Sequence, residues 1–391
     1  MTQLDETPPA LIIDYYDHFE NFQGWLVIDR LEHRICAGGM RVQPGLTREH
    51  LIRMAKNMTR KMRIAGLRVD GAKCGISYDP TTPGKQQAVQ RFMAAIAPYI
   101  KTIYSMGPDL NIDMTELENA SRTIGLPSVK MSIAAAQGWD DDYFLKRSSV
   151  LSEEIQGIPL GRLRAGYGVS AAALGLLDDL AIPRKGATIA MQGFGALAKA
   201  ALFGLREVGA RIVAIADAEK CYTTTSDHGI SISWLLDQQT TLLPPPGSTE
   251  LIMRDRNEIL NIDCDLMIPV ALENTIPPEA AEKLPAKGVV PGANLAVPQS
   301  SADILFERRI PVLPDFLAGC GGSLSMEGLY GPDEHPSPRE VLDHVRDRMT
   351  LMVQTVMEKS RADQSSPTEA ALGLCGNFRP QPGTRPYGRP F

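Results

Sequence analysis

Ala187-Thr-Ile-Ala-Met-Gln192-Gly193-Phe194-Gly195-Ala196-Leu197-Ala198, resumed by Arg211-Ile-Val-Ala-Ile-Ala216-Asp217, decides the fold of the second half of the chain. An apolar strand runs into a G-x-G-x-x-A turn, a helix opens at once, and a second apolar strand ends on an acid. Strand, glycine turn, helix, strand is a βαβ unit, and it implies a parallel sheet. In such a unit the first glycine makes the tight turn, and the second lets a pyrophosphate approach the backbone. The small Ala198 permits close helix–strand packing, and the helix N-terminus attracts phosphate. Asp217 stands where an acid accepts the adenosine ribose hydroxyls. A 2′-phosphate would there meet a carboxylate, so the pattern predicts NAD rather than NADP, with Lys220 and Arg211 as the neighbouring positive charges.

Outward from this unit, short apolar runs at Leu266-Met-Ile-Pro, Gly288-Val-Val-Pro and Ile310-Pro-Val-Leu fit later strands of the same doubly wound sheet. Ser337-Pro338-Arg-Glu340 opens a long helix, with Ser as N-cap, Pro at N1 and Glu at N3 closing a capping box. After Ser360 the chain turns polar and then Pro/Arg-rich, which predicts a disordered tail over 361–391. Upstream the pattern is mixed α/β. Trp25–Asp29 and Arg34–Val42 read as strands, Thr47 to Lys61 as a helix capped by Thr47, and Gly71–Tyr78 as a glycine-rich loop and strand. A helix follows from about Lys85 to Tyr99, whereas 130–160 shows little period and reads as a connector.

With 391 residues, 43% hydrophobic and 22% charged, the chain can fill two ordinary cores. A formal net charge of -6 gives no bulk attraction to nucleic acid or an anionic membrane. The N-terminus lacks a basic segment followed by an apolar run, and no apolar stretch reaches the roughly 18–20 residues of a membrane span. A cytoplasmic protein is expected. The six cysteines include no C-x-x-C and the six histidines no H-x-x-x-H, so no metal site is expected and reduced structural thiols are.

Upstream of the βαβ unit lie Gly38-Gly-Met-Arg41, Met58-Thr-Arg-Lys61, Gly71-Ala-Lys-Cys-Gly75 and Pro108-Asp109. Around and beyond it lie Ala165-Gly-Tyr-Gly-Val169, Cys264-Asp-Leu-Met-Ile-Pro269, Ala271-Leu-Glu-Asn274, Gly292-Ala-Asn294, Pro314-Asp315 and Gly321-Gly322. In this order the blocks resemble the glutamate/leucine/phenylalanine/valine dehydrogenases over about residues 25–330. The resemblance implies a two-domain enzyme with a cleft. An α/β substrate-binding and catalytic domain over 1–165 precedes a Rossmann domain over 166–325, and a C-terminal helix over 326–360 packs back on the first domain. It further implies Lys61 as the ligand of the substrate α-carboxylate, Lys73 as the catalytic lysine and Asp109 as its acidic partner. Gly39, Ala37, Met58 and Met326 would line the substrate. Gly193 to Ala198, Asp217, Ala271, Leu272 and Asn294 would hold the cofactor. A homo-oligomer assembled through the first domain is implied as well. The reaction would be oxidative deamination of an L-amino acid to its 2-oxo acid and ammonia, or the reverse. In it an uncharged lysine takes a proton from the attacking water, and the acid passes a proton to the departing amine.

Glutamate-specific members carry a lysine just before G-G-x-R and a serine shortly after the late G-G. Here those positions read Ala37 and Met326. A substrate carboxylate buried against them would lose both partners, so an apolar amino acid is expected, as in the leucine/phenylalanine branch. Ala165 and Gly319 stand where the family has Thr and Asn, Arg60 replaces an aromatic, and Pro291 a Glu. These departures keep two other readings open. One is a catalytically weak homologue that senses nucleotide or binds a partner, and the other a reductase of a different imine or 2-oxo substrate.

Overall fold

The computed structural model describes residues 7–246 and 250–389. The chain divides into two compact units, one of 1–149, 330–333 and 375–391, the other of 150–329 and 334–374. It therefore passes between them at 149/150, 329/330, 333/334 and 374/375.

The first unit is built on β1 (Leu11–Asp17), β2 (Phe22–Ile28), β3 (Cys36–Val42), α1 (Arg48–Ile64), β4 (Asp70–Ile76), α2 (Lys85–Thr102), β5 (Tyr104–Pro108), α3 (Met114–Thr123), α4 (Met131–Gln137) and α5 (Asp141–Ser148). Its sheet has the order β1-β2-β4-β3-β5. The pairs β1/β2 and β2/β4 are antiparallel, β4/β3 and β3/β5 parallel. Side chains alternate across the sheet, as the period of two demands. Leu26 and Ile28 face a core with Phe92, Met93 and Ile96 of α2 and Leu117 of α3. Trp25 and Val27 face Leu51 and Ala55 of α1. Thr47 caps α1 as its sequence predicts, accepting from His50 N at 3.2 Å. The 130–160 stretch, unplaced from sequence, carries two short capped helices, α4 ending on left-handed Gly138 and α5 opening on Asp140.

The second unit comprises a hairpin of β6 (Glu154–Ile155) and β7 (Ile158–Pro159), then α6 (Leu160–Asp179), β8 (Thr188–Gln192), α7 (Ala196–Glu207), β9 (Arg211–Ala216), β10 (Lys220–Thr224) and α8 (Ile232–Leu236). There follow β11 (Leu251–Asp255), β12 (Leu266–Pro269), α9 (Pro278–Ala281), β13 (Gly288–Val289), α10 (Gln299–Glu307), α11 (Asp315–Ala318), α12 (Gly321–Tyr330), α13 (Pro338–Asp363) and α14 (Pro367–Asn377), the last residue of α12 and the end of α14 from Cys375 counting with the first unit. The sheet order is β11-β10-β9-β8-β12-β13. The four strands β9, β8, β12 and β13 are parallel, as the βαβ reading predicts, and β10 and β11 add an antiparallel edge that it did not foresee. The run at Ile310 supplies a single parallel bridge, Val312 to Val289, rather than a full strand.

Two expectations about the C-terminal part need correction. The long helix, expected over 326–360 and packed on the first domain, belongs to the second unit. There α13 lies along α6, with Val353 against Gly175 and Met349 against Gly168. Its apolar stripe matches the glycine-lined groove of α6, and that fit is invisible in the periodicity of either helix alone. The tail expected to be disordered carries α14, and Tyr387 beyond it is buried. Its prolines and arginines bias composition toward disorder, but Cys375, Phe378 and Tyr387 provide anchors that composition does not weigh. The unit boundary at 149/150 also precedes the expected 165/166, because the β6–β7 hairpin goes with α6.

Candidate active site

Alternation along β3 and β4 sets the first unit's site. Cys36, Met40 and Val42 of β3 and Ala72, Cys74 and Ile76 of β4 enter the α2-side core. Ala37, Gly39 and Arg41, with Gly71, Lys73 and Gly75, therefore share the opposite, α1-facing side. Gly71 must be glycine: a Cβ there would stand 2.1 Å from Thr59 N on α1. This close contact brings α1, which carries Met58 and Lys61, down onto β4, which carries Lys73.

Lys73 is only 3% exposed, and its Nζ lies 2.7 Å from Asp109 Oδ2 at the end of β5. Arg41 Nε donates to the same oxygen at 3.0 Å. Burial works to raise the Asp109 carboxyl, but the charges and hydrogen bonds of Lys73 and Arg41 outweigh it and bring the group down to about 2. Asp109 is thus a carboxylate held between two cations. A Cβ at Gly39 would lie 3.4 Å from Lys73 Nζ and 3.0 Å from Asp109 Cβ, and one at its β5 partner Gly107 would meet nothing within 4 Å. Paired glycines thus leave bare sheet beside the Lys73 amine. Lys61 is buried, 8% exposed, in the last turn of α1, and Met58 and Ala37 are half-buried. The structure unites Lys73, Asp109 and Gly39 directly. Arg41 was missed as a site residue although it stands in the quoted G-G-x-R block. The signal was the alternation that puts it two residues from Gly39 on the same face.

In the second unit the chain leaves β8 for β9 on one side and later returns to β12 on the other, so the topological switch point lies between β8 and β12. Gly193 follows β8 with φ +126°, open to glycine, and its Cβ position lies 3.1 Å from Ala271 N beyond β12. Gly195 is the N-cap of α7 with no side-chain cap, and a Cβ there would meet nothing within 4 Å. Ala196 and Leu197 open the helix, and Phe194 and Ala198 are buried beneath it. Gln192 Oε1, at the strand's end, is buried and makes no hydrogen bond among the described residues. Uncapped helix N–H groups over open space at a switch point fit a dinucleotide pyrophosphate. Leu272 is exposed and Asn294 half-buried in the loops after β12 and β13. Asp217 sits at the end of β9 as expected, and its carboxylate also organises the turn. Oδ1 accepts from Glu219 N and Lys220 N at 2.7 and 2.8 Å, and Oδ2 from Leu243 N at 2.5 Å. Met326 lies buried in α12. Its neighbour Ser325 is already committed, accepting from Arg164 Nη1 at 3.0 Å and donating to Gly322 O at 2.7 Å.

The family model described as Glutamate/Leucine/Phenylalanine/Valine dehydrogenase matches residues 157–374. A second, the Glu/Leu/Phe/Val dehydrogenase dimerisation domain, matches 12–125. The chain belongs to the glutamate/leucine/phenylalanine/valine dehydrogenase family. It is an amino-acid dehydrogenase with a nicotinamide-cofactor domain. The glutamate dehydrogenase of Thermotoga maritima is 30% identical over 315 residues, 78% of this chain and 71% of that enzyme. The NADP-specific glutamate dehydrogenase of Saccharolobus shibatae is 27% identical over 78% of this chain and 69% of its own length. NAD-specific relatives also match. The hetero-hexameric glutamate dehydrogenase of Thermus thermophilus, in its Leu-bound form, superposes with a TM-score of 0.73 at 22% identity, over 94% of this chain and 88% of that one. That likeness establishes the shared fold. Among the described residues no helix is long and apolar enough to cross a membrane, and no group of three or more His, Cys, Asp and Glu could hold a metal ion.

Proposed function

We propose that this dehydrogenase interconverts an apolar L-amino acid with its 2-oxo acid and ammonia, using NAD. The observation that carries the reading is the buried Lys73–Asp109 pair at 2.7 Å beside the bare sheet of Gly39 and Gly107. A bound nicotinamide supplies the hydride acceptor for the substrate Cα. Lys61, buried at the end of α1, fixes the α-carboxylate. Lys73, as the uncharged amine, takes a proton from the attacking water, and Asp109, 2.7 Å from its Nζ, relays that proton to the departing amine; amination runs the same steps backwards. Arg41 keeps Asp109 anchored throughout, so the carboxyl cannot swing away while its charge changes.

Specificity rests on Ala37 and Met326, apolar at positions where glutamate-specific members hold a side-chain carboxylate, and on Ser325, whose hydroxyl is spent within its own helix and on Arg164. A glutamate side chain buried there would forgo its counter-charge at a cost of several kcal/mol. On this reading the substrate differs from the glutamate in the names of the relatives. For the cofactor, the Asp217 carboxylate at the end of β9 favours a free ribose over a phosphorylated one. The dimerisation-domain match supports a homo-oligomer assembled through the first unit.

The test is direct. Purified protein is given NADH, ammonia and a panel of 2-oxo acids, beside Lys73→Ala. Oxidation of NADH with 4-methyl-2-oxopentanoate and its kind is expected, with kcat lowered on the order of a thousandfold or more in the variant. No turnover of any member would sink the activity. Preference for 2-oxoglutarate would sink the specificity, and full activity in the variant would sink the mechanism.

A further inference from the structure

The family models stop at residue 125, resume at 157 and end at 374. Within the first unit, residues 126–149 of the first gap meet the tail over 375–389. Gln137, 1% exposed, reads the tail backbone with both ends of its amide. Its Nε2 donates to Tyr387 O at 3.3 Å and to Tyr330 O at 3.2 Å, while its Oε1 accepts from Tyr387 N at 3.2 Å. So anchored, the tail runs along one particular part of the unit, the connector between α1 and β4 that joins Lys61 to Lys73.

Three grips hold that connector. At the helix end, Cys375 Sγ donates to Arg60 O at 3.4 Å, and the Arg63 guanidinium stands 5.7 Å over the Phe378 ring. In the loop, Arg68 donates through Nε to Arg385 O at 2.7 Å and through Nη2 to Gly388 O. At the strand start, His33 Nδ1 lies 2.9 Å from Asp70 Oδ1, and His33 Nε2 accepts from Gln381 N at 3.3 Å. One tautomer, with the hydrogen on Nδ1, satisfies both histidine contacts at once. The tail thus touches the residues on either side of Lys61, the intervening loop, and through His33 the first residue of the strand that carries Lys73.

We propose that residues 375–389 form a clamp that sets the position of Lys61 relative to Lys73, with Arg68, His33 and Gln137 as its positioning residues. The inference rests on the amino-acid dehydrogenase reading for its kinetic consequence and on geometry alone for its structural one. A chain ending at Asn377 keeps α14 and loses the grips from Phe378 onward. Its KM for the amino acid should rise on the order of tenfold, with kcat changed less and the KM for NAD unchanged. Amide exchange in residues 60–70 should quicken while that of β8 and α7 stays as in the intact chain. Arg68→Ala, a milder lesion, should show the same pattern, and Arg68→Lys should recover part of it. Unchanged amino-acid KM and unchanged exchange in the shortened chain would overturn the clamp. So would a rise in both KM values together, which marks general loosening. Should the intact chain prove inactive on amino acids, the functional reading falls by itself, and the exchange of residues 60–70 still decides the clamp.

Discussion

A single carboxylate carries the ionic balance of the candidate site. Asp109 is held near 2, well under its ordinary 3.8, by Lys73 and Arg41 against the opposing effect of burial. Because its value in the folded chain is the lower one, the stabilisation it gives is complete above about pH 4. It is lost as pH falls toward 2, and is on the order of 2 kcal/mol. Thermal unfolding followed from pH 6 to pH 2.5 should therefore show a steeper acid loss in the natural chain than in Asp109→Asn, whose curve is flatter across that window. Equal slopes would mean that the pair contributes nothing net. The thiols offer a second residue-scale expectation. All six cysteines are buried and none is in a disulfide, and burial pushes the thiols of Cys74, Cys221, Cys264 and Cys375 up to about 12. A thiol reagent at pH 8 should find none of them in the native chain and all six after denaturation. The meeting of Lys73 with Asp109 joins two residues that stood in separate blocks of the sequence. The role of Arg41 was not readable beforehand, since it depends on the register of β3 against β5, and that register is a property of two strands, neither of which states it alone.

At the scale of elements, the contact of α1 with β4 is the most demanding. Gly71→Ala must push a helix off a strand, because its Cβ would fall 2.1 Å from Thr59 N and 2.6 Å from Ala55 O. A loss of about 1–3 kcal/mol is expected in urea unfolding, with weaker binding of the amino acid. Gly107→Ala is the contrasting case. Its Cβ meets nothing, so stability should hold within about 0.5 kcal/mol while the bare sheet beside Lys73 is lost and KM for the amino acid rises. Sequence patterning served well where an element carries its own signal. Thr47 and Ser337 announced their helices, and Gly193 to Ala198 the turn into α7. It failed where the signal belongs to a partner. β10 takes its place by antiparallel pairing with β9 on one side and with the edge strand β11 on the other, and α4 and α5 are too short to show a period.

For the molecule as a whole, the βαβ motif and the upstream blocks foretold two α/β units, yet the path of the chain through them was beyond reach. It depends on contacts between residues hundreds of positions apart, such as Arg68 with Arg385 and Gln137 with Tyr387. That path has a consequence for how the protein is made. Since the first unit takes in residues 330–333 and 375–391, it cannot be finished when its opening 149 residues emerge from the ribosome. It must wait, partly formed, until residues 375–389 have been translated, and a nascent chain arrested before residue 375 would leave the surface around Arg68 and Gln137 bare to chaperones and proteases.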